Sequence, residues 1–304
     1  MPRLARLVCD DQPTVYHVMS RTALDGFPLG NAEKEFLLQC ITRFAAVYFA
    51  EVLGFCIMGN HFHLLVRMMP AEMMTDDDVV QRYHLVYGPD APVTAASLER
   101  CRRKWASLSE FMREVKQTFS RYYNKRHDRR GYFWGERFKS VVVQDGRTLV
   151  HCLAYIDLNP IRAGLVQRPE DYRWSSIGHH AQTGNVDGLL SLDFGLADWD
   201  IEDINERLVL YRRFLYETGA LDSVHGKSLA SHIVERARSE GYVYTRVDRM
   251  LLRTRWFTDS GVIGSKEFVT ALLGRVSHTK GRKRFPRKID GLEFYAMKRL
   301  VEEF

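Results

Sequence analysis

The chain has few cysteines and no long apolar run. Its five cysteines, Cys9, Cys40, Cys56, Cys101 and Cys152, are odd in number, widely scattered and never spaced as CxxC. That argues against a disulfide framework or a zinc knuckle and for a reducing compartment. No apolar run approaches the roughly 20 residues of a transmembrane helix. The opening residues, MPRLARLVCDDQP, hold no apolar core of signal-peptide length. The expectation is a soluble cytoplasmic protein with no membrane partner. Net charge is also modest, +6 with a pI near 9.0 over 304 residues, so the distribution of charge carries more information than its sum.

What is present is an order of elements. Residues 15–21, VYHVMSR, alternate as a strand does. After a turn region with Gly26, Pro28 and Gly30, Asn31 is placed to cap a helix whose apolar face is Phe36, Leu37, Cys40, Ile41 and Phe44. Residues 50–58 form a second strand, joined by a Gly59-Asn60 turn to a third in a hairpin. Residues 68–107, with Asp76-Asp77-Asp78, Gly88-Pro89 and Pro92, read as a connecting insertion with short helical pieces. A long helix follows from Leu108, then a loop entering a fourth strand over residues 131–143. Asp145 is placed to cap a last helix that ends or kinks at Asn159-Pro160. The order β-α-β-β-α-β-α implies an α+β fold of the ferredoxin-like, split βαβ kind: an antiparallel sheet with helices on one face, the other left for a ligand.

The third strand reads HFHLLV. Residues two apart share a face, so His61 and His63 point one way, and Phe62, Leu64 and Val66 pack against helices on the other. Two adjacent imidazoles make half of a metal site and need at least one more ligand. The alternative is a pair of surface or stacking histidines.

Residues 111–140 concentrate the charge. Arg113, Lys116, Arg121, Lys125, Arg126, Arg129, Arg130, Arg137 and Lys139 stand against Glu114, Asp128 and Glu136, for +6 in this window alone. Tyr122, Tyr123, Tyr132, Phe133, Trp134 and Phe138 are interleaved. Cations for phosphates beside aromatic faces for bases suit single-stranded nucleic acid; a solvated basic face over core aromatics would give the same pattern.

On the last helix, Leu149, Cys152, Leu153 and Ile156 form a buried side, and His151, Tyr155 and Asn159 recur four apart on another. A phenol can attack a phosphodiester and store the bond as a phosphotyrosine. Asn159 offers a carbonyl oxygen as a third ligand for a hard divalent ion, Mg²⁺ or Mn²⁺. Taken alone, a helical tyrosine is far more often a packing residue.

YHVMSR, GNHFHLLV, FMREVKQTFSRYYNKRH, GYFWGERFKSVVV, AYIDLNPIRAGLV and DYRWSS occur in that order from Tyr16 to Ser176. As an ordered set they resemble the single-tyrosine HUH transposases, and within them the REP-associated branch. The resemblance implies that His61 and His63 bind the metal, that Tyr155 is the nucleophile and that Asn159 is the amide ligand four positions on. It also implies DNA transposition: cleavage and rejoining of single-stranded DNA, with recognition of short palindromic hairpins and a nucleoid-associated location. Tyr122 and Tyr123 are rival nucleophiles but lack the following amide. The insertion over 68–107 and the segment beyond Ser176 depart from the compact pattern.

On this reading residues 1–178 form the catalytic domain and 179–200 a linker. Residues 201–304 form a small helical region contacting DNA, with helices over 201–219, 229–240, 247–256 and 266–273, the last capped by Ser265. The basic tail over 280–288 includes Lys283 and Arg284 and suits the phosphate backbone. Arg21 joins the DNA-holding cations. Either a monomer or a homodimer accommodates the chemistry. The competing class is a catalytically silent hairpin- or single-strand-binding module; a replication-initiating or plasmid-relaxing HUH nuclease would share the chemistry.

Overall fold

The computed structural model describes residues 7–191, 201–220, 227–233, 235, 260–275, 286–288 and 294–298. Strand β1 (Thr14–Arg21), helix α1 (Asn31–Ala45) and strands β2 (Ala50–Ile57) and β3 (His61–Met68) come first. Then follow α2 (Asp76–Tyr87), α3 (Ala95–Trp105), α4 (Leu108–Arg126), β4 (Lys139–Val143), α5 (Arg147–Asp157) and the single turn α6 (Asn159–Arg162). The first four strands pair antiparallel in the order β2-β3-β1-β4, the split βαβ arrangement that the alternation implies.

Period-two alternation sorts the side chains into two layers. Phe62, Leu64 and Val66 join Tyr16 and Val18 against Leu37 and Ile41 of α1 and Phe111, Val115 and Phe119 of α4. Val15, Leu65, Val141 and Val143 lie in the other layer, against Leu149, Cys152, Leu153 and Ile156 of α5. The second face is therefore not open: α5 covers it, and α7 (Ser176–Thr183) and α8 (Ile204–Gly219) lie in the same layer. The reason is that α5 has no solvated stripe. Every residue from Thr148 to Asp157 is buried, and a helix buried all round must sit between two layers. Gly54 makes room at the sheet, since a Cβ there would overlap Leu153 of α5.

Several local expectations change. Asn31 and Asp145 do not cap; Gly30 and Gly146 hold the N-cap positions without side-chain bonds. Asp145 instead accepts from Gly146 N (2.9 Å) and from Arg67 Nη2 (2.8 Å). The segment read as a linker starts inside α7, which Ser175 caps, and within it Leu190 bridges to Val52 on β2. The C-terminal region is not only helical. Strand β5 (Ser260–Gly264) runs parallel to β4. Beyond it lie β7 (Tyr295–Lys298) and β6 (Arg287–Lys288), making a seven-stranded sheet. Strand β6 has two residues and β7 four, too few for a clear pattern, and β5, SGVIG, does not alternate. Helices α8 and α9 (Lys266–Arg275) form as expected, and Ser265 Oγ accepts from Phe268 N (3.2 Å). The helix expected over 247–256, most of that over 229–240, and the tail cations Lys283 and Arg284 lie outside the described residues.

The insertion holds α2 and α3, each begun by a threonine in a capping box. It packs through Trp105 on Phe49, and Phe49 O accepts from Met69 N just past the end of β3. That is the far end of the strand from His61. Among the described residues no helix is long and apolar enough to cross a membrane.

Asp157 ties α5 to its cover. Tyr211 of α8 donates its hydroxyl to Asp157 Oδ2 (2.7 Å), and Ile177 N of α7 donates to Oδ1 (3.2 Å). Burial pushes this carboxyl up to about 7 despite those bonds. Tyr211→Phe, which leaves the buried oxygen short of a donor, should lower stability by about 1–3 kcal/mol. A urea midpoint unchanged from wild type would show that α8 does not depend on this bond.

Candidate functional site

His61 lies at the start of β3, where the chain leaves the Gly59-Asn60 turn, and pairs across to Arg21 at the end of β1. His63 pairs across to Met19. Both rings face the α5 layer, with centroids 5.1 Å apart. Asn60 Oδ1 is 2.8 Å from His61 Nδ1 and accepts from it. That fixes the ring and leaves Nε2 of the neutral imidazole as an acceptor. His63 is 1% exposed, and its Nε2 is buried with no hydrogen-bond partner. Its Nδ1 lies 2.9 Å from Nε2 of His17 on β1, and the two rings stack at 5.1 Å.

Burial lowers the His61 pKa to about 4, aided by the positive charge of Arg21. Burial also drives His63 well below the usual imidazole value, followed by His17, His61 and Arg162. Both imidazoles are neutral near pH 7, the form that ligates metals.

Helix α5 brings Tyr155 to this cluster. Its ring lies edge-on to His63 at 5.7 Å and to His17 at 5.9 Å, and the residue is 5% exposed. Asn159, one turn on, donates from Nδ2 to Tyr155 O (2.9 Å) and Ile156 O (3.2 Å). Pro160 sits early in the turn α6, where its missing N–H costs nothing. The continuation α6 returns Arg162 over the Tyr155 ring, with its guanidinium carbon 5.2 Å from the centroid. Arg162 Nη1 also donates to Tyr155 O (3.3 Å). Burial lowers the Arg162 pKa to about 10, which leaves it charged at neutral pH.

The rival tyrosines lie in the other layer. Tyr122 stacks on Phe36 at 3.7 Å, and Tyr123 is buried against Phe133 and His127. The interleaved aromatics divide the same way. Phe133 and Phe138 are buried, Trp134 packs on Phe62, and only Tyr132 stands in solvent. Most of that pattern is therefore core, not a stacking surface.

The cations remain outside. Arg113, Arg121, Lys125, Arg126, Arg130, Arg137 and Lys139 are exposed, and Arg129 lies over the Tyr123 ring. Lys116 donates to Glu136 O (2.9 Å). Arg113 pairs with Glu110, and Arg126 pairs with Glu33. Exposed pairs of this kind hold about 0–1 kcal/mol, so a phosphate can displace the carboxylate. Helix α4 lies on the sheet face opposite Tyr155, yet its C-terminal end reaches the histidine end. Ala23 N donates to Phe133 O (2.7 Å), Gly135 N to Arg21 O (3.1 Å) and Thr22 N to Asn60 O (2.9 Å).

Sequence reasoning missed His17 and Arg162. His17 stands two residues from Met19 on β1, in phase with the histidine face, so period-two counting across the paired strand would have found it. Arg162 had no such signal, because its approach depends on the Pro160 turn. Among the described residues no group of three or more His, Cys, Asp or Glu side chains could hold a metal ion, so among those residues a third ligand beside the histidine pair is of another kind.

No family model matches the chain, and no curated protein matches it in sequence. Its fold is similar to a solved structure described as a REP-associated tyrosine transposase bound to a REP hairpin. The TM-score is 0.42 and identity 14%, over 76% of this chain and all of the other. That is a distant relation of fold.

The lowered imidazole pKa values carry a sign. The folded state binds fewer protons than the unfolded chain, whose histidines titrate near 6.5. Stability from His61 is therefore complete above about pH 6.5 and is lost as pH falls towards about 4. Imidazole proton shifts followed by NMR should show His61 neutral at pH 5.5; titration of that ring near 6.5 would contradict its burial.

Proposed function

We propose that the chain is a divalent-metal-dependent single-strand DNA endonuclease and strand transferase of the single-tyrosine kind, acting beside DNA hairpins. The observation that carries the reading is the meeting of Tyr155, from a late helix, with His63 of an early hairpin, whose ring lies beside that of His61.

Tyr155 supplies the nucleophile. Its phenolic oxygen bonds to phosphorus as one ester bond from phosphorus to a sugar oxygen breaks. The phenol loses a proton and the departing sugar hydroxyl gains one. The phosphotyrosine retains the ester energy, so attack by another sugar hydroxyl rejoins the strand and restores the phenol. Arg162, charged and beside the Tyr155 ring, is positioned to offset negative charge on the phosphate.

His61 and His63 fit a metal by their chemistry. Both are neutral, and Nε2 of His63 is buried with no hydrogen-bond partner. Asn159 would add an amide oxygen. Bound there, Mg²⁺ or Mn²⁺ supplies Lewis acidity at the scissile phosphate. His17 fixes the ring of His63: with His63 Nδ1 donating to His17 Nε2, the lone pair of Nε2 is left for the metal. Arg21 and the cations from Arg113 to Lys139 hold the DNA backbone without reading sequence.

The near-complete burial of Tyr155 and His63 favours a second reading, a hairpin- or single-strand-binding protein without catalysis. A covalent assay separates them. With a hairpin-flanked single strand and Mn²⁺, the wild type should form a protein–DNA adduct that survives denaturing electrophoresis. Tyr155→Phe should abolish the adduct and change oligonucleotide affinity by less than about twofold. Absence of adduct from the wild type, or its persistence in Tyr155→Phe, rejects the assignment. His17→Phe should weaken Mn²⁺ binding by about 10–100-fold in calorimetry; unaltered affinity would remove His17 from any role toward the metal.

A further inference from the structure

Among the described residues at the histidine end of the sheet, two aromatic rings are used by neither the core nor the proposed chemistry. Phe27 is 80% exposed and Tyr132 is 89% exposed. Both stand on loops at the histidine end of the sheet, and both loops are held in place by backbone bonds.

The first loop follows β1. Thr22 N donates to Asn60 O and Leu29 N to Gly59 O, each at 2.9 Å, so the loop lies along the turn that leads into His61. Phe27 rests on Gly59; a Cβ there would come within 2.6 Å of its Cδ1. Glycine thus gives one face of the ring a flat seat, and most of its surface stays in water.

The second loop leaves α4. Asn124 Nδ2 donates to Gly131 O (2.9 Å), and Gly131 takes a φ of +93°, a conformation open to glycine. Phe133 and Trp134 are then anchored against Phe119 and Phe62. Tyr132 is left outside, between Gly131 and the buried Phe133. Exposed Lys125, Arg126 and Arg130 precede it, Arg137 and Lys139 follow it, and Arg21 stands opposite His61. An exposed ring on a loop pinned by its backbone, among cations, suits a partner with both π-faces and phosphates.

Resting on the reading above that the substrate is single-stranded DNA, we infer that Phe27 and Tyr132 are stacking platforms for its unpaired bases. The strand would run from the C-terminal end of α4 over Tyr132, past Arg21 to the histidines, with Phe27 taking a base beside the hairpin turn. Stacking of this kind tolerates any base, because every base has a π-face.

The test uses the full chain carrying Tyr155→Phe, so that covalent trapping cannot contribute. Affinity is measured by anisotropy for a labelled oligothymidine and for an abasic oligonucleotide of equal length. Phe27→Ala and Tyr132→Ala should each weaken oligothymidine binding by about tenfold and leave abasic binding unchanged. Tyr132→Trp and Phe27→Trp should retain it. Equal loss on the abasic strand, or no loss on oligothymidine, overturns the inference. Capture of duplex DNA with the same dependence on both rings would overturn it as well. The adduct assay on the chain with Tyr155 intact reports separately. Adduct formation with insensitive Phe27 and Tyr132 variants refutes only the platforms; base-dependent binding without any adduct refutes only the catalytic reading.

Discussion

The seating of α5 on the sheet is the constraint on which the rest depends. The helix buries all of its residues from Thr148 to Asp157, and Gly54 lets Leu153 close onto β2. A helix advances about 100° per residue, so a slip of one position would turn Tyr155 away from His63 and His17. Burying the helix on all sides also encloses its polar groups. His151 is held neutral, its pKa near 4, and Asp157 is pushed up to about 7. Burial stabilises the uncharged form of each group. The same desolvation keeps His61 and His63 neutral, so the force that seats the helix also sets the protonation of the site.

The two layers divide the work. One holds the imidazoles, the phenol and Arg162. The other holds α4, whose apolar side completes the larger core through Phe111, Val115 and Phe119. The cations of α4 are displaced to the surface by that packing. The loop from Gly131 to Arg137 then runs from the end of α4 to Arg21, by the bonds of Phe133 O and Gly135 N. The cations of one face and the histidine–tyrosine cluster of the other therefore meet at one end of the sheet. The insertion occupies the opposite end, where Trp105 and Phe49 pack.

Legibility followed the length and regularity of each element. The first four strands, α1 and α4 carry six or more periodic positions or clear flanking turns, and their placement agrees with the sequence. His61 and His63 share a face because alternation allows nothing else. Asn159 bonds to Tyr155 O because four residues make one turn. The aromatics between Tyr122 and Phe138 misled: composition alone does not separate a ring that packs from one that stacks on a ligand, and most of these pack. The short strands β6 and β7 and the non-alternating β5 left no pattern, and Gly146 took the cap position because Arg67 draws Asp145 away.

By itself the sequence determined which side chains share a strand face or a helix turn, since backbone periodicity is local. It set the histidine pair, the tyrosine and its amide, and the run of cations. Only the tertiary structure decided that the second sheet face is covered, that His17 backs His63, and that Arg162 returns over Tyr155. Among the described residues it also left two loop aromatics, Phe27 and Tyr132, in solvent. Those outcomes depend on which surfaces are nearest once two layers close on a sheet, and separation along the chain carries no information about that distance.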